Sequence, residues 1–144
     1  WGKSVAIGVA EVIQGVILFA AAFALGWRPV EGTSWLAFIG LVLISTVAFA
    51  GIALFIAALF RAEITLALAN LLFVLAMAVG GLLLPSDRLP DVVAPLIAYS
   101  PTGALGDGMR AILLDGSLPA AQIVVMAVWA VLATLACVRW FRWE

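Results

Sequence analysis

Three polar side chains lie inside otherwise apolar segments, and their types and spacing make them candidates for chemistry. Glu11 and Gln14 are three residues apart in the first apolar segment, and Asn70 lies in the third. Residues at this spacing share a helix face, so Glu11 and Gln14 predict one polar spot that could hold a proton, a cation or a polar group of a ligand. A structural interpretation stays open for both sites: Glu11 near an interface or a neighbouring helix end, and Asn70 in a hydrogen bond between helices.

A second set of candidates lies between residues 85 and 119. Asp107 and Arg110 are spaced i to i+3, which predicts an ion pair on a short helix. The string GALGDG, residues 103–108, superficially resembles a phosphate loop. It follows no predicted strand and lacks the Lys-Ser/Thr ending, so we interpret it as loop and helix-start glycines.

Bond-breaking chemistry has little support in the sequence. The chain contains no His and a single Cys, Cys137, which removes most zinc, haem and Cys-His chemistry and any internal disulfide. No catalytic triad, HExxH, Walker A, Rossmann or paired-carboxylate pattern occurs in it. The sequence therefore predicts a protein that is not an enzyme, with no catalytic residue, metal or cofactor of its own.

The composition places these candidates in a membrane. Of the 144 residues, 67% are apolar and 10% are charged, whereas soluble domains are about 45–50% apolar and about 25% charged. The formal net charge is −1, which argues against binding nucleic acid. Because the chain starts at Trp1 without a signal-peptide pattern, we expect it to be part of a longer protein.

Apolar runs of about 20 residues predict four membrane-spanning helices. Their approximate bounds are residues 4–26, 34–60, 64–84 and 120–138. The second and third runs are separated only by Arg61, Ala62 and Glu63, so we expect antiparallel neighbours. The predicted fold is an all-α, polytopic membrane protein in which residues 1–144 form a single transmembrane domain.

The segment 85–119 is rich in Pro and Gly but contains apolar pieces too short to span a bilayer. Such pieces are typical of re-entrant or interfacial structure. We predict two short helices, at about 90–99 and 103–115, separated by a break at residues 100–102. The alternative is a loosely structured surface loop.

Basic residues are more concentrated on one predicted side of the membrane, which indicates the orientation. The termini and the Arg61 turn are predicted to be cytoplasmic, and the segment 85–119 is predicted to face outward. The basic residues assigned to the cytoplasmic side are Lys3, Arg61, Arg139 and Arg142, against Arg28, Arg88 and Arg110 outside.

The order of these elements and several short strings resemble the C-terminal half of ABC-2 type transporter permeases. A helix ends in a small-residue run, followed by Pro85 and the string Leu89-Pro90. An apolar short helix, a break at Ser100-Pro101 and a final R-xx-L string at Arg110 come next. The first two spans resemble the third and fourth helices of such a permease, and the last span resembles its sixth. The nearest type is the drug-export permease of actinobacteria.

The resemblance implies a permease subunit in the plasma membrane that pairs with a second permease copy, identical or not, and with two cytoplasmic ATP-binding-cassette ATPase subunits. ATP and Mg²⁺ would be bound by those partners, and a hydrophobic or amphipathic substrate would be exported by alternating access. The outer segment would act as a re-entrant gate. Its candidate residues are Pro85, Leu89, Pro90, Pro101, Asp107 and Arg110.

Two other classes stay open. Glu11 could serve as the proton or cation site of a secondary transporter or channel driven by an ion gradient. Against this, the spans carry one carboxylate and no visible inverted repeat. A membrane scaffold without transport activity would explain the hydrophobicity but not the costly Glu11.

Overall fold

The structure is a computed structural model that describes residues 2–78 and 90–140. The predicted all-α fold is confirmed for this part of the chain, where every regular element is helical. The helices are α1 (Gly2–Ala24), α2 (Trp35–Leu59), α3 (Ala62–Ala78), α4 (Ala94–Ala98), α5 (Pro101–Leu113) and α6 (Ala120–Trp140).

Two of these helices are long and apolar enough to cross a bilayer by length and composition: α2, and α6 over Ala120–Arg139. The apolar parts of α1 and α3, Gly8–Ala24 and Ala62–Met77, are shorter. A membrane protein is therefore supported, and the count of four crossings stays a prediction.

The chain divides into two units, Trp1–Val30 and Glu31–Glu144. In the first unit, α1 ends because Gly26 adopts a left-handed conformation with φ of 88°. The N–H of Trp27 then reaches the carbonyl of Ala22, and that of Gly26 reaches Phe23, both at 3.0 Å. This pattern satisfies the last carbonyls of the helix.

The second unit is built around α2 and α6, which run parallel. Leu41, Ser45, Ala48 and Gly51 recur every three or four residues, and they are the buried residues of α2. A Cβ built on Gly51 would lie 2.8 Å from the Cβ of Ala133 in α6. Small residues at this spacing let two helix backbones approach closely.

Helix α5 packs against the first halves of α2 and α6. A Cβ built on Gly108 would lie 2.8 Å from a methyl group of Leu41 and 3.3 Å from the Cβ of Gln122. Ile112 and Met126 are fully buried in the same cluster. Leu41 and Gln122 both contact Gly108, and each lies near the start of its helix. Gly51 contacts Ala133, and each of these lies in the later part of its helix. Helices α2 and α6 therefore run in the same direction.

The predicted pair of short helices exists, but its break is shorter than expected. Pro101 and Thr102 belong to α5, because Ser100 is the N-cap and accepts a hydrogen bond from the N–H of Gly103. Proline is favoured at the first helical position, where its missing N–H costs nothing. The glycines of residues 103–108 therefore lie inside the helix, so the helix-start part of their interpretation is confirmed and the loop part is wrong.

Of the predicted outer gate, Pro85 and Leu89 lie outside the described residues. The carbonyl of Pro90 accepts hydrogen bonds from the N–H groups of Val93 and Ala94, at 2.8 and 2.9 Å. Pro90 thus opens the turn that leads into α4. Re-entry of this segment into a membrane stays a prediction.

Candidate functional site

An open cleft of about 790 Å³ lies between α2 and α3. No described side chain of α3 is buried. Helix α3 therefore does not pack tightly against α2, and the space between the two helices stays open. Residues 97–105 and Trp129 close one end. The walls are mostly apolar, and their larger members are Phe49, Ile52, Ile56, Leu72, Phe73 and Leu75.

The closed end of the cleft carries two hydroxyl groups. Ser100 Oγ donates a hydrogen bond to the carbonyl of Ile97 at 2.7 Å and accepts one from the N–H of Gly103 at 3.0 Å. It also lies 3.2 Å from Thr102 Oγ1. Both residues line the cleft, so polar side chains lie together at one end of an apolar space.

Trp129 positions this end from α6. Its indole Nε1 donates a hydrogen bond to the carbonyl of Tyr99 at 2.9 Å. The same side chain lines the cleft and also a second, shallower groove of about 630 Å³ beside Val92, Pro95 and Leu96. Because its N–H is satisfied by Tyr99, the ring offers the cleft an apolar surface.

Gly103 makes the tight corner between α4 and α5 possible. A Cβ at this position would collide with the carbonyl oxygen of Ile97. The absence of a side chain therefore lets α5 begin directly against the end of α4. This corner holds Ser100 and Thr102 at the cleft.

Comparison with known families matches residues 1–139 to the family described as ABC-2 family transporter protein. The chain belongs to the ABC-2 transporter family. No curated protein and no solved structure matches it. The resemblance to an ABC-2 type permease is thus confirmed, and the chain is a membrane permease of an ABC transporter, a transport subunit rather than an enzyme. Membership in this family implies association with ATP-binding-cassette ATPase subunits.

The permease forms the predicted ion pair of α5. Arg110 Nη1 donates to Asp107 Oδ1 at 3.0 Å, and the two side chains are 22% and 15% exposed. Neither residue lines the cleft. The ion pair therefore links two turns of α5 and does not contribute to the polar end of the cleft. A role in an outer gate stays a prediction.

Of the other sequence candidates, Pro101 lines the cleft of the permease, whereas Glu11, Gln14 and Asn70 do not. Glu11 and Gln14 are exposed residues of α1 in the first unit. Asn70 is exposed on α3, and it is not a lining residue although its neighbour Ala69 is. The structure therefore does not bring Asn70 together with the hydroxyl groups of the cleft end, and the proposed roles of all three stay predictions.

Ser100, Thr102 and Trp129 were not predicted as site residues. The string Ser-Pro-Thr carries a usable signal, since Ser followed by Pro is a typical helix start. Trp129 gives a weaker signal. A tryptophan in the middle of an apolar run carries an N–H group that needs a hydrogen-bond acceptor. In the described part of the permease, no group of three or more His, Cys, Asp or Glu side chains could hold a metal ion.

Proposed function

We propose that this permease pairs with a second permease copy and exports a hydrophobic or amphipathic substrate, driven by ATP hydrolysis on separate cytoplasmic subunits. The family match over residues 1–139 carries the proposal. The sequence adds that none of these residues forms a motif able to cradle a triphosphate. Its part in the cycle would be to convert closure of the ATPase subunits into rocking of its helices.

The proposed topology has four crossings, with the Arg61 turn and the chain ends in the cytoplasm and residues 85–119 outside. The parallel course of α2 and α6 supports it, because Arg61 just after α2 and Arg139 in the last turn of α6 then lie at the same end of the second unit. Asp115 precedes α6 and lies at the opposite end. Basic groups at one end fit a cytoplasmic surface.

Thiol labelling tests this topology. In a Cys137→Ala background, the single-cysteine variants Ala62→Cys and Asp115→Cys are treated with a membrane-impermeant thiol reagent on intact cells. We expect labelling at position 115 and none at 62 until the cells are permeabilised. The opposite result would invert the orientation, and labelling at both positions before permeabilisation would contradict a crossing between them.

Transport in proteoliposomes tests the energy source. The full-length permease alone should hydrolyse no ATP. Reconstituted with its ATPase partner, it should move a fluorescent amphiphile only when the Walker A lysine of that partner is intact. Substrate should also change the hydrolysis rate, because coupling between two sites acts in both directions.

The same experiment tests the alternative function, secondary transport that uses Glu11. A carboxylate in the middle of a membrane helix costs about 2.5–3.5 kcal/mol on insertion scales, so a transport role would explain its presence. Flux driven by a pH gradient without nucleotide, and abolished by Glu11→Gln, would replace the ATP-driven proposal with secondary transport. Full ATP-driven transport by Glu11→Gln would leave Glu11 without an essential part in the cycle.

A further inference from the structure

The hydrogen-bond geometry at the cleft end determines which polar group a ligand must bring. Ser100 has one hydroxyl proton, and it goes to the carbonyl of Ile97. One of the two lone pairs of Ser100 Oγ accepts a hydrogen bond from the N–H of Gly103. The other lone pair can only accept a further hydrogen bond. The contact with Thr102 is therefore made by the proton of Thr102 Oγ1. Ser100 is then saturated, and the lone pairs of Thr102 Oγ1 stay available.

The cleft thus presents the acceptor Thr102 Oγ1 at its polar end, where two of the nearby N–H donors are already used. The N–H of Gly103 is already used by Ser100, and the N–H of Trp129 is used by Tyr99. The N–H of Thr102, in the first turn of α5, is one remaining donor, but no lining residue is basic, so a carboxylate or phosphate would recover little of its lost hydration there. None of the lining residues is charged, so a cation would find no counter-ion. The available acceptor and the absence of charged lining residues together favour an uncharged ligand whose polar group donates a hydrogen bond.

The shape of the cleft selects a long apolar body. Its α3 wall extends from Thr65 to Ala76, which corresponds to about 16 Å at a helical rise of 1.5 Å per residue. Apolar side chains of α2 form the facing wall. Pockets of this kind, mostly apolar with a few convergent polar groups, are typical of small-molecule sites.

We propose that the cleft binds an uncharged, elongated amphiphile of the long-chain alcohol class, whose hydroxyl donates a hydrogen bond to Thr102 Oγ1. The alkyl chain lies between α2 and α3, and the hydroxyl lies at the corner formed by Ser100 and Gly103. The inference concerns binding within one copy of the chain. It goes beyond the proposed function, because it holds whether or not the ligand is transported.

Trp129 provides the readout, since its ring lines the cleft. The full-length permease, purified in detergent with its other tryptophans replaced by phenylalanine, is titrated with a dibrominated dodecanol, whose bromine atoms quench nearby indole fluorescence. The matched probe is the methyl ether of the same molecule, which has the same chain and no donor. We expect the alcohol to bind about fivefold more tightly, the factor produced by one net hydrogen bond.

Substitutions at two hydroxyls separate the proposed contact from general partitioning. Thr102→Val keeps the shape of the side chain and should bring the alcohol to the affinity of the ether, whereas Thr102→Ser should preserve the difference. The control is Thr134→Val on α6, whose hydroxyl donates to the carbonyl of Ala130 at 2.7 Å outside the cleft. This variant should behave like the parent protein.

A filled cleft tests the location. Ala69→Phe places a ring between α3 and α2 and should weaken binding of both probes at least tenfold. Equal affinity of alcohol and ether in the unsubstituted cleft would overturn the proposal, as would quenching that persists in Ala69→Phe.

A subunit interface is the competing occupant of the cleft, and cross-linking of an Ala69→Cys variant distinguishes it. A disulfide between two copies of this variant, together with no quenching of the parent protein by either probe, would assign the cleft to the interface and overturn the proposal. Because the binding assay contains no nucleotide or ATPase, its failure leaves the transport test unaffected.

Discussion

The indole Nε1 of Trp129 in α6 donates a hydrogen bond to the carbonyl of Tyr99, at 2.9 Å, and thereby ties the end of α4 to the centre of the second unit. Helix α4 is one turn long, and none of its residues is buried. A helix this short is not stable by itself in water. Its position therefore depends on the corner at Gly103 and on this bond from Trp129.

Trp129→Phe should loosen α4 while the α2–α6 contact persists. Phenylalanine keeps an aromatic ring but cannot donate to Tyr99, and the lost hydrogen bond is worth about 1 kcal/mol. Hydrogen exchange of the amides in residues 96–100 should then be about fivefold faster. The control is Trp35→Phe, at the start of α2, which should leave these amides unchanged. Unchanged exchange in Trp129→Phe would show that Gly103 and α5 hold α4 without the indole.

Gly51→Ala should push α2 and α6 apart. The new Cβ would lie 2.8 Å from the Cβ and 3.2 Å from the carbonyl carbon of Ala133, and overpacking of this kind costs about 1–3 kcal/mol. Gly40→Ala on the same helix meets nothing within 4 Å. It should be neutral or raise Tm, because alanine is the better helix former by about 1 kcal/mol.

Thermal unfolding of the purified permease in detergent measures both variants. A Tm for Gly51→Ala equal to that of Gly40→Ala would mean that the two helices do not approach closely at this point. Ala133→Gly combined with Gly51→Ala should recover part of the loss, since it removes the Cβ that the new side chain meets.

Ser45 should be replaceable with a gain in stability. Its side chain lies on the buried face of α2, and its Oγ has no hydrogen-bond partner among the described residues. An unsatisfied buried polar group costs about 1–3 kcal/mol, so Ser45→Ala should raise Tm. The complementary change, Ala48→Ser on the same face, should lower it. A lower Tm for Ser45→Ala would reveal a bonded hydroxyl.

Helix bounds could be predicted where polar residues interrupt the apolar runs. Ser34 caps α2, the Arg61 turn separates α2 from α3, and Pro119 precedes α6, so each of these ends lies within a few residues of the prediction. The start of α5 lies two residues before the predicted one, because Ser100 caps the helix and Pro101 is its first residue. Gly103 is a contact residue, which only the position of Ile97 reveals.

The cleft could not be predicted from the sequence. Helices α2 and α3 are apolar on all sides, so no periodic pattern indicates which face meets another helix and which borders an open space. The close approach of α2 and α6 did leave a signal, since Ser45, Ala48 and Gly51 are small residues at three-residue spacing. Glu11 and Asn70 give a stronger signal in the sequence, since isolated polar groups stand out in apolar runs, but neither residue lines the cleft.

The end of α5 offers a test of how this helix is packed, because two adjacent leucines differ in exposure. Leu113 packs against the buried cluster that contains Ile112 and Met126, whereas Leu114 is 53% exposed and precedes Asp115. Leu113→Asp would bury a carboxylate among apolar side chains and should cost several kcal/mol. Leu114→Asp should change stability by no more than about 0.5 kcal/mol if it faces water.

The two variants are compared by the yield of assembled protein and by Tm in detergent. Insertion into native membranes is measured as well, because contact with lipid affects only that measurement. We expect Leu113→Asp to fail or unfold well below the parent protein and Leu114→Asp to match it in both settings. Normal stability of Leu114→Asp in detergent combined with poor membrane insertion would place this end of α5 in contact with lipid, since a carboxylate facing lipid is penalised there alone. Equal tolerance of both changes would mean that α5 is a loose surface segment, contrary to the contacts of Gly108 with Leu41 and Gln122.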